Sequence, residues 1–177
     1  PHKGRLRIGT DDVRALSLAS LRERVQLVRQ PELFEGSVAD NLRVGHDVDG
    51  RDLTAALAVV ELDDFFVEGL EQRIVPGSHF ITEGVGRRLM IARALVADTG
   101  LVVLNGAVDG LPAALVARIV RRLSGTDITV VIVTSDESLA ACAPRTIELA
   151  PSTAPSKPPP PPTKPQRGTK RAQRKKR

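Results

Sequence analysis

The stretch of this chain whose residue types could do chemistry is ITEGVGRRLMIARALVADTGLVVLNGAVDGLP, residues 81–112. Thr82 and Gly84 stand at the predicted start of an arginine-rich helix, where unpaired backbone N–H groups and a hydroxyl could bind an anion such as a phosphate. The helix leads into an apolar strand that ends at Asn105 and Gly106. This order is typical of phosphate-handling proteins, but an amide and a glycine stand where such enzymes keep acids.

The elements that must position these groups follow from the hydrophobic pattern. LVVL at residues 101–104 and TVVIVT at 129–134 are nearly continuous β-branched or apolar runs, and the amphipathic stretch AALVARIVRRL lies between them. Strands that are apolar on both faces and joined through a helix are typical of a parallel sheet covered on both sides. The sequence therefore predicts an α/β fold, with further short strands in GRLRIG and RVQLVRQPELF and a closing strand in RTIEL.

A helical pattern interrupts the strands in the first half of the chain. Residues 37–70 open with a serine cap in SVADNLRV and continue with apolar residues at helical spacing in DLTAALAVVELDDFFVEGL. We expect a small helical insertion here. Just before it, Pro31 ends a strand and holds Gln30 extended. The Gln30 side chain is therefore either a ligand group at a strand end or a polar strand cap.

The charge of the chain is unevenly placed along its 177 residues. Residues 151–177 hold nine Lys or Arg, no acid and five consecutive prolines, while residues 1–150 hold 17 bases against all 21 acids. The first 150 residues are predicted to form one domain, and the Pro-rich basic tail is predicted to be disordered. The tail is either a solubilising appendage or a contact for anionic lipid or, non-specifically, RNA.

The predicted domain lacks the features of a nucleic-acid-binding protein. It is net negative, and the chain has four Phe but no Trp or Tyr, so both the basic field and the stacking groups are missing. We expect no specific nucleic-acid partner. Arg87, Arg88 and Arg93 are instead predicted to form a solvated face of an amphipathic helix.

Residues with metal-binding side chains are scattered along the chain. His2, His46 and His79 do not lie near one another in sequence, and none is close to Cys142, the one cysteine. We expect no metal site made of protein side chains. Cys142, in the apolar run SLAACAP, is expected to be a small buried side chain in a reducing compartment. No stretch of about 18 apolar residues and no signal peptide is found.

Taken together, these motifs resemble the C-terminal two-thirds of the nucleotide-binding domain of ABC transporters, closest to the exporter type. GRLRIGTDDVRALSLASLRERVQLVRQPELFEGSVADNL resembles the run from the second strand through the Q-loop into the helical subdomain, which would extend over about residues 31–95. ITEGVGRRLMIARAL resembles the signature motif and its helix. LVVLNGAVDGLP resembles the Walker B strand with the D-loop, and TVVIVTSDE the strand that leads to the H-loop. The resemblance implies a P-loop NTPase-like, mostly parallel sheet with a helical subdomain.

The resemblance also implies a P-loop. No lysine lies between Lys3 and Lys157, so the predicted domain cannot hold the GxxxxGK[ST] motif, whose lysine reaches the phosphates. By resemblance that segment would precede Pro1, and its strand would lie beside LVVL. We therefore expect residues 1–150 alone to leave a buried sheet edge open and to aggregate.

Two of the resembling motifs depart from the family where it binds phosphate and metal. Thr82 and Gly84 keep a hydroxyl and a glycine that would meet the γ-phosphate of a nucleotide bound by a partner domain, whereas Glu83 replaces a second glycine. Thr82 is alternatively only the N-cap of its helix. Asn105 stands where an aspartate would hold magnesium, and Gly106 stands where a glutamate would polarise the attacking water.

Three further positions complete the resemblance. Ser135 replaces the H-loop histidine and Pro112 replaces the D-loop aspartate, whereas Gln30 keeps the Q-loop glutamine. We therefore predict no catalytic residue and no metal ligand. The residues predicted by resemblance to contact the nucleotide are Gln30, Thr82, Gly84 and Asn105.

The resemblance implies ATP and Mg²⁺ as cofactors. It implies a transmembrane domain and a second nucleotide-binding domain as partners, at the cytoplasmic side of the cell membrane. Because general-base assistance typically contributes about 10²–10⁴ in rate, the substitutions imply weak or no ATP hydrolysis. The leading hypothesis is a degenerate ATP-binding subunit or domain that docks on a transporter. The alternative is a non-catalytic interaction protein or remnant whose basic tail binds anionic membrane or nucleic acid.

Overall fold

The protein is described here by a computed structural model that covers residues 4–149. Of these, residues 4–146 belong to one compact unit. The tail of residues 151–177, predicted to be disordered, lies outside the described residues. In chain order the elements are β1 (Arg7–Ile8), β2 (Asp11–Asp12), α1 (Leu18–Arg24), β3 (Val25–Val28), β4 (Gly36–Ser37), α2 (Val38–Arg43), α3 (Gly50–Val59), β5 (Arg73–Ile74), α4 (Glu83–Val96), β6 (Leu101–Asn105), α5 (Ala113–Leu123), β7 (Thr129–Val133) and α6 (Glu137–Ala140).

The central sheet has three parallel strands in the order β3, β6, β7. Val28 pairs with Leu104, and Asn105 pairs with Val133, so the three strands end at the same edge of the sheet. Two short antiparallel pairs, β1 with β2 and β4 with β5, complete the strands of the described chain. The predicted α/β class with a parallel sheet is confirmed.

The predicted position of the open sheet edge is wrong. LVVL forms most of β6, and β6 already has β3 on one side and β7 on the other, so no further strand fits beside it. Among residues 4–149, the strands of this sheet that have a neighbour on one side only are β3 and β7. The side chains of Val131 and Val133 are 43% and 45% exposed, so among the described residues one face of β7 is open, and the expectation of a sheet covered on both sides is wrong for this strand.

The predicted helical insertion is confirmed for α2 and α3 but not for the residues after Val59. The chain stops the helix at Glu61, which adopts a left-handed φ of 59°. The Glu61 N–H donates to the Ala58 carbonyl and the Leu62 N–H donates to the Leu57 carbonyl, which is the Schellman termination of a helix. Residues 61–68 therefore form turns. That residues 31–95 act as a separate subdomain stays a prediction.

Helix α4 organises the core of the described unit. It packs against α2, α3 and β3, and its buried face contains Leu89, Ile91 and Ala92, each at most 1% exposed. Helix α5 buries Val116 and Ile119 in the same hydrophobic cluster. The start of α4 is thereby fixed near the loop that follows β6.

The predicted closing strand RTIEL is also wrong. No residue of this run pairs with another strand in the part of the chain that the structure describes. A strand needs a neighbour for its backbone hydrogen bonds, and Ile147 and Leu149 are 69% and 84% exposed. The apolar alternation of this run therefore does not reflect a buried strand.

Candidate functional site

The start of α4 is capped in the way its sequence predicts. The Val85 N–H donates to Thr82 Oγ1 at 3.3 Å, so Thr82 is the N-cap of the helix. Gly84 follows in the first turn, and a Cβ placed there would lie 3.5 Å from Leu111 Cδ2. The helix start therefore lies directly against the loop after β6. Whether the Thr82 hydroxyl also meets a phosphate stays a prediction.

The extra carboxylate of this helix start is paired within the helix. Arg87 Nη2 donates to Glu83 Oε1 at 2.6 Å and its Nε donates to the same oxygen at 3.2 Å. The Glu83 side chain is 73% exposed, whereas that of Arg87 is 16% exposed. The negative charge that the sequence places at the site is thus offset by a neighbouring guanidinium one helical turn away.

Arg87 also ties the helix to the end of β6. Its Nη1 donates to the carbonyl oxygen of Gly106. The Gly106 N–H in turn donates to the Val133 carbonyl at 3.0 Å, and Gly106 itself has a φ of 67° that favours glycine. The backbone at the position of the missing glutamate is therefore held from both sides, by α4 and by β7.

Asp109 is the residue at this site that the sequence reasoning missed. Thr134 Oγ1 donates to Asp109 Oδ1 at 2.7 Å. Asp109 Oδ2 lies 3.4 Å from where a Cβ would stand at Gly106, and the Asp109 N–H donates to the Gly106 carbonyl at 3.2 Å. The signal in the sequence was an acid three residues after the glycine, within the same loop.

The loop after β7 offers an exposed hydroxyl in place of an imidazole. Ser135 is exposed and lies between Thr134 and Asp136. Asp136 caps α6, and hydrogen bonds from the Ser138 hydroxyl and N–H lower the pKa of its carboxyl below the ordinary value. We name residues 105–112 and 134–136 together the strand-end loops.

Gln30 lies at the same edge of the sheet as the strand-end loops. Strand β3 ends at Val28, two residues before the predicted boundary, and Gln30 is exposed in the bend that follows. Because β3, β6 and β7 are parallel and in register, Asn105 at the end of β6 lies at the same edge as Gln30 and Ser135, which follow β3 and β7. Through Leu111 and Arg87, the structure also brings Thr82 and Gly84 to this edge.

The residues after Gln30 are fastened to α4. We name residues 31–43 the anchored segment. A Cβ at Gly86 would lie only 3.1 Å from Pro31 Cβ, so the helix approaches the segment closely and a side chain at this position would require the segment to shift. Arg93 donates through Nε to the Asn41 carbonyl at 2.6 Å and through Nη1 to the Glu32 carbonyl at 3.0 Å.

Asn41 completes this attachment inside the protein. It is 1% exposed, its Oδ1 accepts from the Phe34 N–H at 3.1 Å, and its Nδ2 donates to the Phe34 carbonyl at 2.9 Å and the Ser37 carbonyl at 3.1 Å. Ser37 and Asp40 form a capping box at the start of α2, and the Ser37 N–H and hydroxyl groups lower the pKa of the Asp40 carboxyl. The fold of the anchored segment is therefore fixed by side-chain to backbone bonds.

The prediction of a solvated arginine face on α4 is wrong. Arg88 donates to the carbonyls of Gly84 and Glu61, while Arg87 and Arg93 make the contacts given above. Burial lowers the pKa of Arg88 and of Arg93 from the ordinary value, although a guanidinium stays charged at neutral pH. These three arginines hold backbone carbonyls of neighbouring segments, which is a packing role.

The side chains at the strand ends provide only some of the oxygen ligands that a nucleotide-bound metal ion would need. Asn105 is exposed and offers an amide oxygen, which accepts hydrogen bonds but carries no charge for a hard cation. The carboxylate of the loop comes instead from Asp109. Within residues 4–149 no group of three or more His, Cys, Asp or Glu side chains is arranged to hold a metal ion. No helix of the described chain is long and apolar enough to cross a membrane.

Comparison with known proteins identifies several relatives by sequence and a solved structure with a similar fold. No family model matches the chain. The chain is 30% identical over 148 residues to the alpha-factor-transporting ATPase of Saccharomyces cerevisiae. This alignment covers 78% of this chain and 11% of that protein. It is 38% identical over 126 residues to the beta-(1→2)glucan export ATP-binding/permease protein NdvA of Rhodopseudomonas palustris, covering 67% of this chain and 20% of that protein.

A third relative and a solved structure agree with these matches. An uncharacterised ABC transporter ATP-binding protein of Mycobacterium bovis is 34% identical over 145 residues, covering 77% of this chain and 25% of that protein. The chain thus spans between 11% and 25% of the length of these curated relatives. The structure of a bacterial Atm1-family ABC exporter with ATP bound superposes with a TM-score of 0.69 at 23% identity, over 78% of this chain and 26% of that chain.

The solved exporter thus supports the fold, and the curated relatives, at 30–38% identity, support the family. The motif order along α4, β6 and β7 and the parallel register of the sheet agree with both. The chain belongs to the family of exporter-type ABC transporter ATP-binding domains.

Proposed function

We propose that this chain is a degenerate ATP-binding subunit or domain of an ABC transporter, which couples nucleotide state to transport with weak or no ATP hydrolysis of its own. The observation that carries the proposal is the end of β6, where Asn105 and Gly106 provide no carboxylate. The family's reaction needs a charge for the metal and an acceptor for the proton of water at these two places.

Nucleotide contact in this proposal comes from groups around the shared edge of the sheet. Gln30 and Asn105 would contact ATP together with the Mg²⁺ that accompanies it, whereas Thr82 and Gly84 at the capped start of α4 would contact the γ-phosphate of a nucleotide bound by the partner domain. Mg²⁺ would supply charge neutralisation of the phosphates when bound. The pairing of Glu83 with Arg87 supports this assignment, because it reduces the repulsion that a free carboxylate at the helix start would exert on a phosphate.

Docking in this proposal depends on the anchored segment. The family contacts its membrane subunit through the residues that follow the Q-loop glutamine. In this chain those residues are held by Asn41, Arg93 and the Gly86 contact, while Phe34 keeps 43% of its surface exposed. We propose a transmembrane domain and a second nucleotide-binding domain as partners, with this chain at the cytoplasmic side of the membrane.

Titration of a fluorescent ATP analogue into the natural full-length polypeptide, with and without Mg²⁺, tests the proposed function. We expect Mg²⁺-dependent binding with phosphate release at least about 10²-fold slower than a competent domain achieves, as loss of a general base implies. Release at the ordinary rate of a transporter ATPase, unchanged by Gly106→Glu, would contradict the proposal. Absence of nucleotide binding would also contradict it.

The alternative function rests on the composition of residues 151–177. Nine Lys or Arg without an acid favour a contact with anionic lipid headgroups or, non-specifically, RNA. In that case the protein would be an interaction protein or remnant without nucleotide chemistry. Salt-sensitive binding to anionic vesicles or RNA that disappears on deletion of residues 151–177, together with no nucleotide binding, would favour this alternative.

A further inference from the structure

The loop between β6 and α5 contains a carboxylate that the family resemblance does not assign. At Gly106, a Cβ would meet Asp109 Oδ2 at 3.4 Å. With C–C bonds near 1.5 Å and staggered rotamers, the carboxylate oxygens of a glutamate lie about 3 to 4 Å from its own Cβ. Asp109 Oδ2 therefore lies at the distance from position 106 at which the oxygens of a glutamate would lie.

The loop holds this carboxylate in place. Thr134 donates to Oδ1 at 2.7 Å, and the Asp109 N–H donates to the Gly106 carbonyl at 3.2 Å. Arg87 donates to the same carbonyl from α4. Three segments, α4, the loop itself and the end of β7, thereby fix the Asp109 side chain relative to Gly106.

One oxygen of the carboxylate remains open to a ligand. Within the described residues, no group donates to Asp109 Oδ2, while Oδ1 is bonded to Thr134. Asp109 is partly buried at the shared carboxyl edge of the strands, where Asn105 and Ser135 are also found. Its open oxygen is available to accept a hydrogen bond from a water molecule at this edge.

We propose that Asp109 substitutes for the missing glutamate and activates the attacking water, so that the chain retains slow hydrolysis that depends on Asp109. The inference rests on the proposed function and makes it more specific. The water oxygen forms a bond to the γ-phosphorus of ATP while the bond from that phosphorus to the β–γ bridging oxygen breaks. The water proton passes to the Asp109 carboxylate, and ADP leaves with the bonding electron pair.

The test compares phosphate release by natural full-length polypeptides that carry single substitutions. Asp109→Asn keeps the size of the side chain and the acceptor for Thr134 but removes the proton acceptor, so we expect release to fall about 10²-fold or more. Affinity for the fluorescent ATP analogue should stay within about twofold. Asp127→Asn is the matched control, since Asp127 is exposed in the turn before β7, at the opposite end of the strands, and we expect it to leave release unchanged.

A reciprocal exchange separates chemistry from folding. Adding Gly106→Glu to Asp109→Asn returns a carboxylate to the same space from the other side of the loop, and we expect it to restore phosphate release. Gly106→Glu alone places two carboxylates in that space, so we expect a lower melting temperature than Gly106→Gln gives. A purely structural role for Asp109 predicts no recovery of release in the double variant.

The outcomes distinguish this inference from the function on which it rests. Tight Mg²⁺-dependent nucleotide binding with phosphate release that Asp109→Asn does not change would overturn the role of Asp109 and leave the degenerate transporter subunit intact. The same holds for binding without any measurable release. Absence of nucleotide binding in the parent polypeptide would overturn the proposed function, and the role of Asp109 with it.

Discussion

The anchored segment and the strand-end loops meet the same helix, but they are built in different ways. The anchored segment is fixed by a buried asparagine and by an arginine that donates to two carbonyls. The strand-end loops contain the exposed residues Asn105 and Ser135 and a glycine at the place of a carboxylate. The surface expected to dock is thus held by internal hydrogen bonds, whereas the edge expected to do chemistry has an amide and a glycine at the places where the family resemblance implies carboxylates.

The difference teaches that the two regions are maintained by different physical requirements. Removal of a buried hydrogen-bonding group leaves unpaired backbone groups and costs stability, so the anchored segment changes only at the expense of the fold. Exchange of an exposed acid for an amide or glycine at a strand end costs the fold little. A chain can therefore lose catalytic groups while its docking surface stays folded.

The largest difference in stability between the two regions is expected when the buried asparagine of the anchored segment is removed. Asn41→Ala leaves the Phe34 N–H and carbonyl and the Ser37 carbonyl without their partner, so we expect a loss of about 2–4 kcal/mol in the free energy of unfolding. The same change at the exposed Asn105 should stay within about 0.5 kcal/mol. Urea unfolding of both variants measures the difference, and equal losses would remove the distinction between the two regions.

An intermediate effect is expected from two glycines of α4. Gly84→Ala places its Cβ in ordinary contact with Leu111 at 3.5 Å, so its better helix propensity should stabilise the protein by about 0.5–1 kcal/mol. Gly86→Ala places its Cβ 3.1 Å from the ring of Pro31. We expect it to destabilise the protein by about 1–2 kcal/mol despite the same gain in propensity. The melting temperatures of the two variants measure these opposite effects. A melting temperature of Gly86→Ala above that of the parent would show that the anchored segment can move away from the added methyl group.

The smallest effect on stability is expected from Glu61, which follows the end of α3 and is paired with Arg118. Two hydrogen bonds from Arg118, at 2.7 and 2.8 Å, lower the pKa of the Glu61 carboxyl from its ordinary value of 4.5. Because the folded pKa is the lower one, the stabilisation is complete above pH 4.5 and is lost as pH falls through the folded value. Solvent-exposed ion pairs contribute little.

A pH series of urea midpoints for the parent and Glu61→Gln checks this prediction. The stability difference between the two proteins should be present at pH 7 and should shrink below pH 4.5. A difference that stays constant down to pH 3 would show that the carboxylate contributes through packing and not through its charge.

Periodicity and turn chemistry were sufficient to predict much of the fold. The runs at 101–104 and 129–134 formed parallel strands as expected, because continuous β-branched residues are typical of such strands, although β7 is exposed on one face at Val131 and Val133. Helix α3 ended earlier than its apolar pattern indicated, since Glu61 takes a left-handed conformation more commonly filled by glycine. The prediction of a strand in RTIEL was wrong for a different reason. Alternation of apolar and polar residues does not by itself provide a neighbouring strand to pair with.

The candidate site was predictable in its motifs but not in its contacts. The caps at Ser37 and Thr82 followed from local rules that a single sequence displays. The role of Asp109 depended on a loop that returns to Gly106 and on a hydroxyl 25 residues away in sequence. The arginines of α4 bind carbonyls in segments as distant as 61 residues, which no local pattern specifies.

The contact between Pro31 and Gly86 has a mechanical consequence. Arg93 also donates hydrogen bonds to Glu32 and Asn41, so the anchored segment is attached to α4 at several points. The helix has 14 residues and is about 21 Å long at 1.5 Å per residue. Because α4 also packs against α3 and β3, we expect a force on Phe34 to reach these core elements through the helix.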